Sequence, residues 1–240
     1  MSSNTNKLSL LGHIGELRTR LTRSVIAIVI TVILSFVFYN RIFDILLAPV
    51  SGISLIYTEM TEMVGTTMKV AMTSGIILAM PYLTYEVIMF VSPALTRKEK
   101  RYVLLILPWI ALMFAAGVVF AYFIMIPPMT RFLLGFGSDI ATPQIKIGNY
   151  ISFVTRLLLA VGLIFELPIV TTFLARIGVL NPDWLAGKRK LAIILAFILA
   201  AVITPTIDPI NQLIVTAPLI VLYEMSIWLA KLVYKKKPAI

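Results

Sequence analysis

The stretch LLLAVGLIFELPIVTTFLA, residues 157–175, decides the fold class because its length and composition match one membrane crossing. Nineteen residues lie between Arg156 and Arg176, and all are apolar or small except Glu166 and two threonines. As an α-helix the stretch is about 28 Å long, close to the ~30 Å thickness of a hydrocarbon core. Glu166 is at its midpoint, where a charge costs at least about 3 kcal/mol, so the acid needs a reason to be there.

The whole chain has the composition of a protein with several membrane spans. Of its 240 residues, 60% are hydrophobic and 13% are charged, and the mean hydropathy is +0.98. It has no cysteine, which excludes disulfides, cysteine metal sites and thiol nucleophiles. The net charge of +10 therefore bears on membrane topology, and we expect a lipid bilayer rather than nucleic acid as its surroundings.

Six apolar runs predict an all-α, polytopic membrane protein whose six transmembrane helices form one domain over residues 1–240. The predicted spans are residues 24–40, 70–91, 102–126, 151–175, 191–203 and 213–230. We expect residues 1–23 to form a cytoplasmic amphipathic helix on the membrane surface. Two long external loops are predicted at 41–69 and 127–150. The first should fold as a cap of short helices, and Pro127-Pro128 should end the third span.

The positions of the cations predict the orientation of the spans. Four segments, namely the N-terminus, the loops after spans 2 and 4 and the C-terminal tail, hold 16 of the 21 Lys and Arg residues, four in each. Because cytoplasmic loops carry the excess of Lys and Arg, both termini are predicted to be cytoplasmic. The predicted location is the cytoplasmic (inner) membrane of a bacterium or archaeon, with several passes.

The fifth and sixth spans are predicted to be short. Residues 191–203 would give a helix of roughly 20 Å, and Glu224 interrupts the eighteen apolar residues of the last run. Short helices make the bilayer thinner or need partners that shield them. A re-entrant hairpin, or a boundary misplaced by one turn, remains an alternative at this point.

Glu166 is the first candidate functional group. Pro168 follows it and lacks an N–H, so a kink and a free carbonyl are expected beside the carboxyl group. Acids within membrane spans usually mark functional sites, which favours a docking point or a proton-linked site at a cavity. The alternative is a structural hydrogen bond to a neighbouring span.

The cytoplasmic segments hold the other candidates. In LLGHIGELRTRL, residues 10–21, Glu16 and Arg20 are four positions apart on a helix and can form an ion pair. In SPALTRKEKR, residues 92–101, Glu99 is one acid among four cations. The residues alone favour a solvated surface group over a binding site for either acid. Glu86 and Glu224 lie toward the cytoplasmic ends of spans 2 and 6 and rank below Glu166.

Enzymatic activity is not predicted. The sequence has no phosphate-binding loop and no HExxH zinc site, and its one histidine, His13, lies outside the spans. We expect neither a cofactor nor a metal. Two classes remain: a small proton-coupled secondary transporter using Glu166, and a receptor or scaffold that binds helices in the membrane and peptides through its cytoplasmic acids.

Several short motifs resemble those of the TatC family, the membrane subunits of twin-arginine protein translocases. Their order along nearly the whole chain is more specific than any one of them. They are HIGELRTRL (13–21), APV (48–50), SPALTRKEKR (92–101), FAYF (120–123), YISF (150–153), FELP (165–168), TPTIDP (204–209) and YEMS (223–226).

This resemblance implies a cupped, concave helical bundle and a receptor that binds paired arginines in the signal peptides of folded cargo. Glu16 and Glu99 match the acids proposed to meet the two arginines. Leu17, Arg18, Pro93 and Leu95 belong to the same two motifs and should shape this surface.

The resemblance also implies partners in the membrane. Glu166, with Pro168, matches the acid of the fourth span, which faces a groove and is associated with single-span partners of the TatA and TatB type. Spans 5 and 6 would dock those partners in an oligomeric complex whose transport is driven by the proton motive force. Pro49 belongs to the APV motif and is expected to be structural.

The chain departs from the family pattern at two sites. Glu86 stands where a neutral amide is more common, which leaves its role open. TPTIDP is one residue longer than the common TPPD pattern, and Asp208 is the residue that corresponds to its acid.

Overall fold

The computed structural model describes residues 3–91, 97–140, 142–204 and 208–234, with side chains from residue 15 onward except those of 91 and 97–105. The regular secondary structure of this part of the chain is helical, apart from one isolated β-bridge. In chain order the helices are α1 (Ser3–Val37), α2 (Tyr39–Leu47), α3 (Glu62–Val91), α4 (Arg97–Phe120), α5 (Ile126–Gly135), α6 (Ile147–Phe165), α7 (Leu167–Arg176), α8 (Pro182–Gly187), α9 (Arg189–Ile203) and α10 (Pro209–Val233).

Five of the described helical stretches are long and apolar enough to cross a membrane. They are Gly15–Val37, Glu62–Phe90, Ile106–Gly135, Ile147–Arg176 and Pro209–Val233. The fifth predicted span corresponds to α9, which has 15 residues and is therefore about 22 Å long. Its predicted shortness is confirmed.

The sixth helix is longer than predicted. α10 has 25 residues and begins at Pro209, four positions before the apolar run. Asp208 caps it by accepting the N–H of Asn211 at 2.7 Å, and proline is well suited to a first helical position. Polar residues therefore extend the helix beyond its apolar part, and the expectation of a short sixth helix is wrong.

The N-terminal segment is not a separate surface helix. α1 continues without a break from Ser3 to Val37 and so joins the predicted amphipathic helix to the first span. No proline interrupts this stretch, and Gly15, one of its two glycines, has open space around it. Nothing in the local sequence forces the turn that a flat surface helix would need, so the expected boundary at residue 23 is corrected.

Pro127-Pro128 does not end the third span. α4 continues through one π-helical turn, Ala121–Met125, directly into α5. Both prolines lie in the first turn of α5, where an N–H needs no acceptor within the helix and a proline is tolerated. The wider π turn thus allows the helical path to continue to Gly135.

The external side is closed by the two long loops, and the first of them contains the predicted short helices. α2 is followed by a 3-10 turn, Ala48–Val50. Ile56 then pairs with Lys146 of the second loop in a parallel bridge. Two tyrosines hold α2 against the bundle: Tyr122 donates to the Ile45 carbonyl at 2.6 Å and Tyr150 to the Leu46 carbonyl at 3.0 Å.

The core is built around α6, whereas α1 is peripheral. Ile151, Val154 and Leu157 of α6 are fully buried. The apolar side chains of α1 are largely exposed, as expected of a helix that faces lipid. α1 packs closely on α3 because Gly75 has no side chain: a Cβ there would lie 2.6 Å from the Cα of Val32. This close crossing brings together the charged residues at the cytoplasmic ends of the two helices.

Candidate functional site

An arginine joins two carboxylates across the interface between α1 and α3. Arg20 donates to one oxygen of Glu16, Oε1, from Nε at 3.0 Å and from Nη2 at 2.7 Å. Its Nη1 donates to Oε2 of Glu86 at 2.8 Å. The predicted Glu16–Arg20 pair is thus confirmed, and Glu86 is its third member.

The burial of these groups increases toward α3. The side chain of Glu16 is 30% exposed, that of Arg20 16% and that of Glu86 4%. The hydroxyl of Tyr82 donates to the second oxygen of Glu86 at 2.7 Å, which leaves that carboxylate fully engaged. Glu16 is therefore the member of the cluster that a molecule from the cytoplasm can reach.

The cluster has more acid than base. Two carboxylates surround one guanidinium, so Glu16, Arg20 and Glu86 together carry a formal charge of −1, and Arg23 is close enough to act electrostatically on Tyr82 beside them. Arg23, the next cation on α1, is exposed. An incoming cation that can form two parallel hydrogen bonds with a carboxylate suits such a site, and a guanidinium has that geometry.

The remaining residues of the predicted peptide site are only partly within the described structure. Leu17 is 48% exposed and Arg18 is exposed beside Glu16 on α1. Pro93 and Leu95 lie outside the described residues. Glu99 falls in the first turn of α4, but its side chain lies outside the described part.

Glu166 occupies a different position, deep between helices. Its side chain is 5% exposed, and the hydroxyl of Thr84 on α3 lies 3.0 and 2.8 Å from its two carboxylate oxygens. The hydrogen bond to a neighbouring span, one of the two interpretations of this acid, is therefore present. The bond ties α3 to the middle of the fourth span.

The fourth span is interrupted at Glu166. α6 ends at Phe165 and α7 begins at Leu167, with Glu166 as the residue between them. Pro168 is buried at the start of α7, where its missing N–H is tolerated. The Glu166 carbonyl accepts the N–H groups of Ile169 and Val170 at 3.1 and 3.0 Å. This break sets the acid at the junction of the two helices that form the fourth span.

The remaining candidate residues from the sequence contact neighbouring parts of the helical bundle. Glu224 on α10 forms a two-point ion pair with Arg189 of α9, at 2.6 and 3.0 Å. Asp208 is the cap of α10. Pro49 lies half-buried in the 3-10 turn of the external cap. Among the described residues no group of three or more acids, histidines or cysteines could hold a metal ion.

Three contributors to the hydrogen bonds of these acids were not predicted from the sequence. The second bond of Arg20 and the hydroxyls of Tyr82 and Thr84 complete the two acid sites. Tyr82 is four positions before Glu86 on one helix, so the helical period could have indicated it. Arg20 and Glu86 are 66 positions apart, and Thr84 and Glu166 are 82 apart. No local sequence pattern could have indicated these two contacts.

Comparison with known proteins gives consistent matches. A family model described as TatC, Sec-independent protein translocase protein, matches residues 12–218. A Sec-independent protein translocase protein TatC from Carboxydothermus hydrogenoformans is 42% identical over 232 residues, which are 96% of each chain. The protein of the same name from Aquifex aeolicus is 39% identical and covers 95% of this chain and 97% of its own. A crystal structure of a twin-arginine translocase receptor TatC matches with a TM-score of 0.84 and 40% identity, over 92% of this chain and 99% of that one.

Proposed function

This chain belongs to the TatC family of Sec-independent protein translocase proteins, and from that premise we propose that it is the signal-peptide receptor of its translocase. As a family member it is a multi-pass protein of the cytoplasmic membrane and a non-enzymatic subunit of a protein transport complex. The proposal is that Glu16 and Glu99 bind the paired arginines of signal peptides on folded cargo. The name of the solved relative, a twin-arginine translocase receptor, supports this role.

The observation that carries the proposal is that Glu16 already binds a guanidinium. Arg20 occupies one oxygen of the carboxylate with two donors, and the side chain remains 30% exposed. A signal-peptide arginine brings the same chemical group to the same acceptor. Leu17 and Arg18 would border the peptide on α1, and Pro93 and Leu95 would border it on the loop before α4.

The charge of the surrounding surface adds selectivity. The cytoplasmic segments hold 16 of the 21 Lys and Arg residues, so a cationic peptide is repelled over most of that face. Acids on such a face are the positions where the repulsion is reversed. Glu16 and Glu99 therefore favour a peptide with two adjacent guanidinium groups.

We further propose that Glu166 and Pro168 recruit single-span partners of the TatA and TatB type into an oligomeric complex. A partner helix with a polar side chain could replace the hydrogen bond that Thr84 makes to Glu166, at the junction of α6 and α7. The short α9 supports the same proposal, because a helix of about 22 Å leaves a mismatch with the bilayer that a partner can cover. Transport would then be driven by the proton motive force.

The alternative of a small proton-coupled transporter using Glu166 has no comparable support. Membership in a family of protein translocase subunits argues for a different cargo. The observed hydrogen bond to Thr84 also accounts for an acid at this depth without proton transport.

Cross-linking to a twin-arginine precursor tests the receptor proposal. We expect membranes that contain the Glu16→Ala/Glu99→Ala variant to hold normal amounts of the protein but to give no cross-link. Glu224→Ala serves as the control, because it also removes a paired acid and lies on α10, away from the proposed site. Cross-linking of the double variant at the wild-type level would refute the proposal.

A further inference from the structure

We propose that Glu86 is a positioning residue of the arginine-binding site, which holds Arg20 and balances its charge so that Glu16 can accept a guanidinium from outside. This inference rests on the proposed function, and it gives a role to an acid that the peptide itself would not touch. In this view Arg20 competes with the signal-peptide arginine for the carboxylate of Glu16.

The geometry of Arg20 leaves half of Glu16 open. Both of its contacts with Glu16 end on Oε1, and no side chain in the described part of the protein donates to Oε2. A carboxylate binds a guanidinium most strongly when both oxygens take part. The internal arginine therefore holds the acid in place with an incomplete contact, and a peptide arginine can complete it.

Glu86 supplies the charge that makes this exchange favourable. If Arg20 had only Glu16 as its partner, the two charges would cancel and an incoming cation would meet a neutral pair. Glu86 adds a second carboxylate 2.8 Å from the same guanidinium, so the cluster keeps one negative charge. Because Glu86 is 4% exposed, it cannot take the place of Glu16 as the acceptor for the peptide.

Glu86 also gives Arg20 a place to stay during the exchange. When a peptide arginine takes Glu16, the Nη1 bond of Arg20 to Glu86 can persist, so the guanidinium is not left without an anion in a half-buried interface. Tyr82 fixes the other oxygen of Glu86 from one turn away on α3. The fixed half of the cluster is therefore on α3, and the exchangeable half is Glu16 on α1.

The test measures the affinity of a fluorescent twin-arginine signal peptide for the full chain in lipid nanodiscs. Glu86→Gln removes the charge and keeps one acceptor oxygen for Arg20, while its NH2 group can donate to the Tyr82 hydroxyl, which turns to accept. We expect this change to weaken binding about fivefold or more. Arg20→Gln removes the competitor, and we expect tighter binding than in the wild type. Combining both changes restores the net charge of the cluster, and the affinity should return to within about threefold of the wild type.

The double variant distinguishes positioning from a structural role. If Glu86 only supported the fold, Glu86→Gln would bind less peptide because less of the protein is folded, and adding Arg20→Gln would not restore the folded amount. Equal weakness of the single and double variants would overturn the proposal, and so would wild-type affinity in Glu86→Gln. If Glu86→Gln does not fold, Arg20→Gln alone decides, since binding that is no tighter than in the wild type contradicts competition.

Two further variants separate this inference from the function on which it rests. Glu224→Gln removes the charge of another arginine-paired acid, on α10, and should bind the peptide like the wild type. Glu16→Gln should weaken binding strongly. If Glu16→Gln binds normally, the receptor proposal itself fails. If Glu16→Gln is weak while Glu86→Gln and Arg20→Gln match the wild type, only the inference about Glu86 fails.

Discussion

Thr84 and Glu86 lie two positions apart on α3 and bond to different neighbouring helices. Thr84 donates to Glu166 at the junction of α6 and α7, whereas Glu86 accepts from Arg20 on α1. One turn of α3 therefore contacts both acid sites. A change in this turn can affect the proposed peptide site and the proposed partner site separately, because each side chain serves only one of them.

Replacing Thr84 with valine should weaken the contact between α3 and the fourth span. Valine has nearly the same shape but no hydroxyl, so the buried carboxyl of Glu166 loses its observed donor. Hydrogen bonds between membrane helices contribute about 1 kcal/mol, and we expect a decrease of that size in the free energy of unfolding, measured by titration with SDS. Thr84→Ser keeps the hydroxyl and should stay close to the wild type. Equal stability of the valine variant and the wild type would mean that this bond does not hold the helices together.

Replacing Glu166 with alanine should reduce assembly with partner helices and leave signal-peptide binding largely intact. The reason is that Glu166 lies within the membrane span, whereas the peptide site uses acids of the cytoplasmic segments. Co-purification with a tagged TatA- or TatB-type protein measures the first effect, and peptide affinity measures the second. Thr84→Val is the control, since it removes the internal hydrogen bond but keeps the acid. Partner recovery that is unchanged in Glu166→Ala would contradict the docking proposal.

Replacing Gly75 with alanine should force α1 away from α3. A Cβ at this position would lie 2.6 Å from the backbone Cα of Val32, which cannot move aside like the end of a flexible side chain. We expect a loss of about 1–3 kcal/mol in the free energy of unfolding, together with weaker peptide binding, because Arg20 would no longer reach Glu86. Gly15→Ala is the matched control. It has open space around it and should leave stability unchanged or raise it by up to about 1 kcal/mol. Comparable behaviour of the two variants would show that the close crossing is unimportant.

The sequence predicts the spans well because their signal is local. A run such as 157–175 has the length of a membrane crossing and few polar residues, and bilayer thickness alone then requires a helix. The shortness of α9 follows from the same count. Local charge spacing also predicts the Glu16–Arg20 pair, since residues four apart share one helix face.

The errors arise where a helix continues through residues that are not apolar or through prolines. The polar turn at the start of α10 is helical although it belongs to no apolar run, and the predicted N-terminal helix continues into the first span although their compositions differ. Pro127-Pro128 indicates the end of a helix, yet the π turn before it removes the conflict. A hydropathy pattern detects the apolar part of a helix and does not detect its caps.

The partners of the two acids could not be predicted because they depend on which helices pack together. Glu86 and Arg20 are 66 positions apart, and Glu166 and Thr84 are 82 apart. A sequence pattern shows which face of a helix is polar but not which helix faces it. For Glu166 the sequence therefore left a structural bond and a docking site both open, and only the packed bundle identifies Thr84 as its present partner.

The most direct test compares the affinities of a twin-arginine signal peptide and its twin-lysine counterpart for the full chain in nanodiscs. A lysine carries the same charge but cannot form the two parallel hydrogen bonds of a guanidinium. We expect the wild type to prefer the arginine peptide by tenfold or more, at about 1.4 kcal/mol per factor of ten, and the Glu16→Ala/Glu99→Ala variant to lose this preference. Equal affinity of the wild type for both peptides, or a preference that survives in the double variant, would contradict the account.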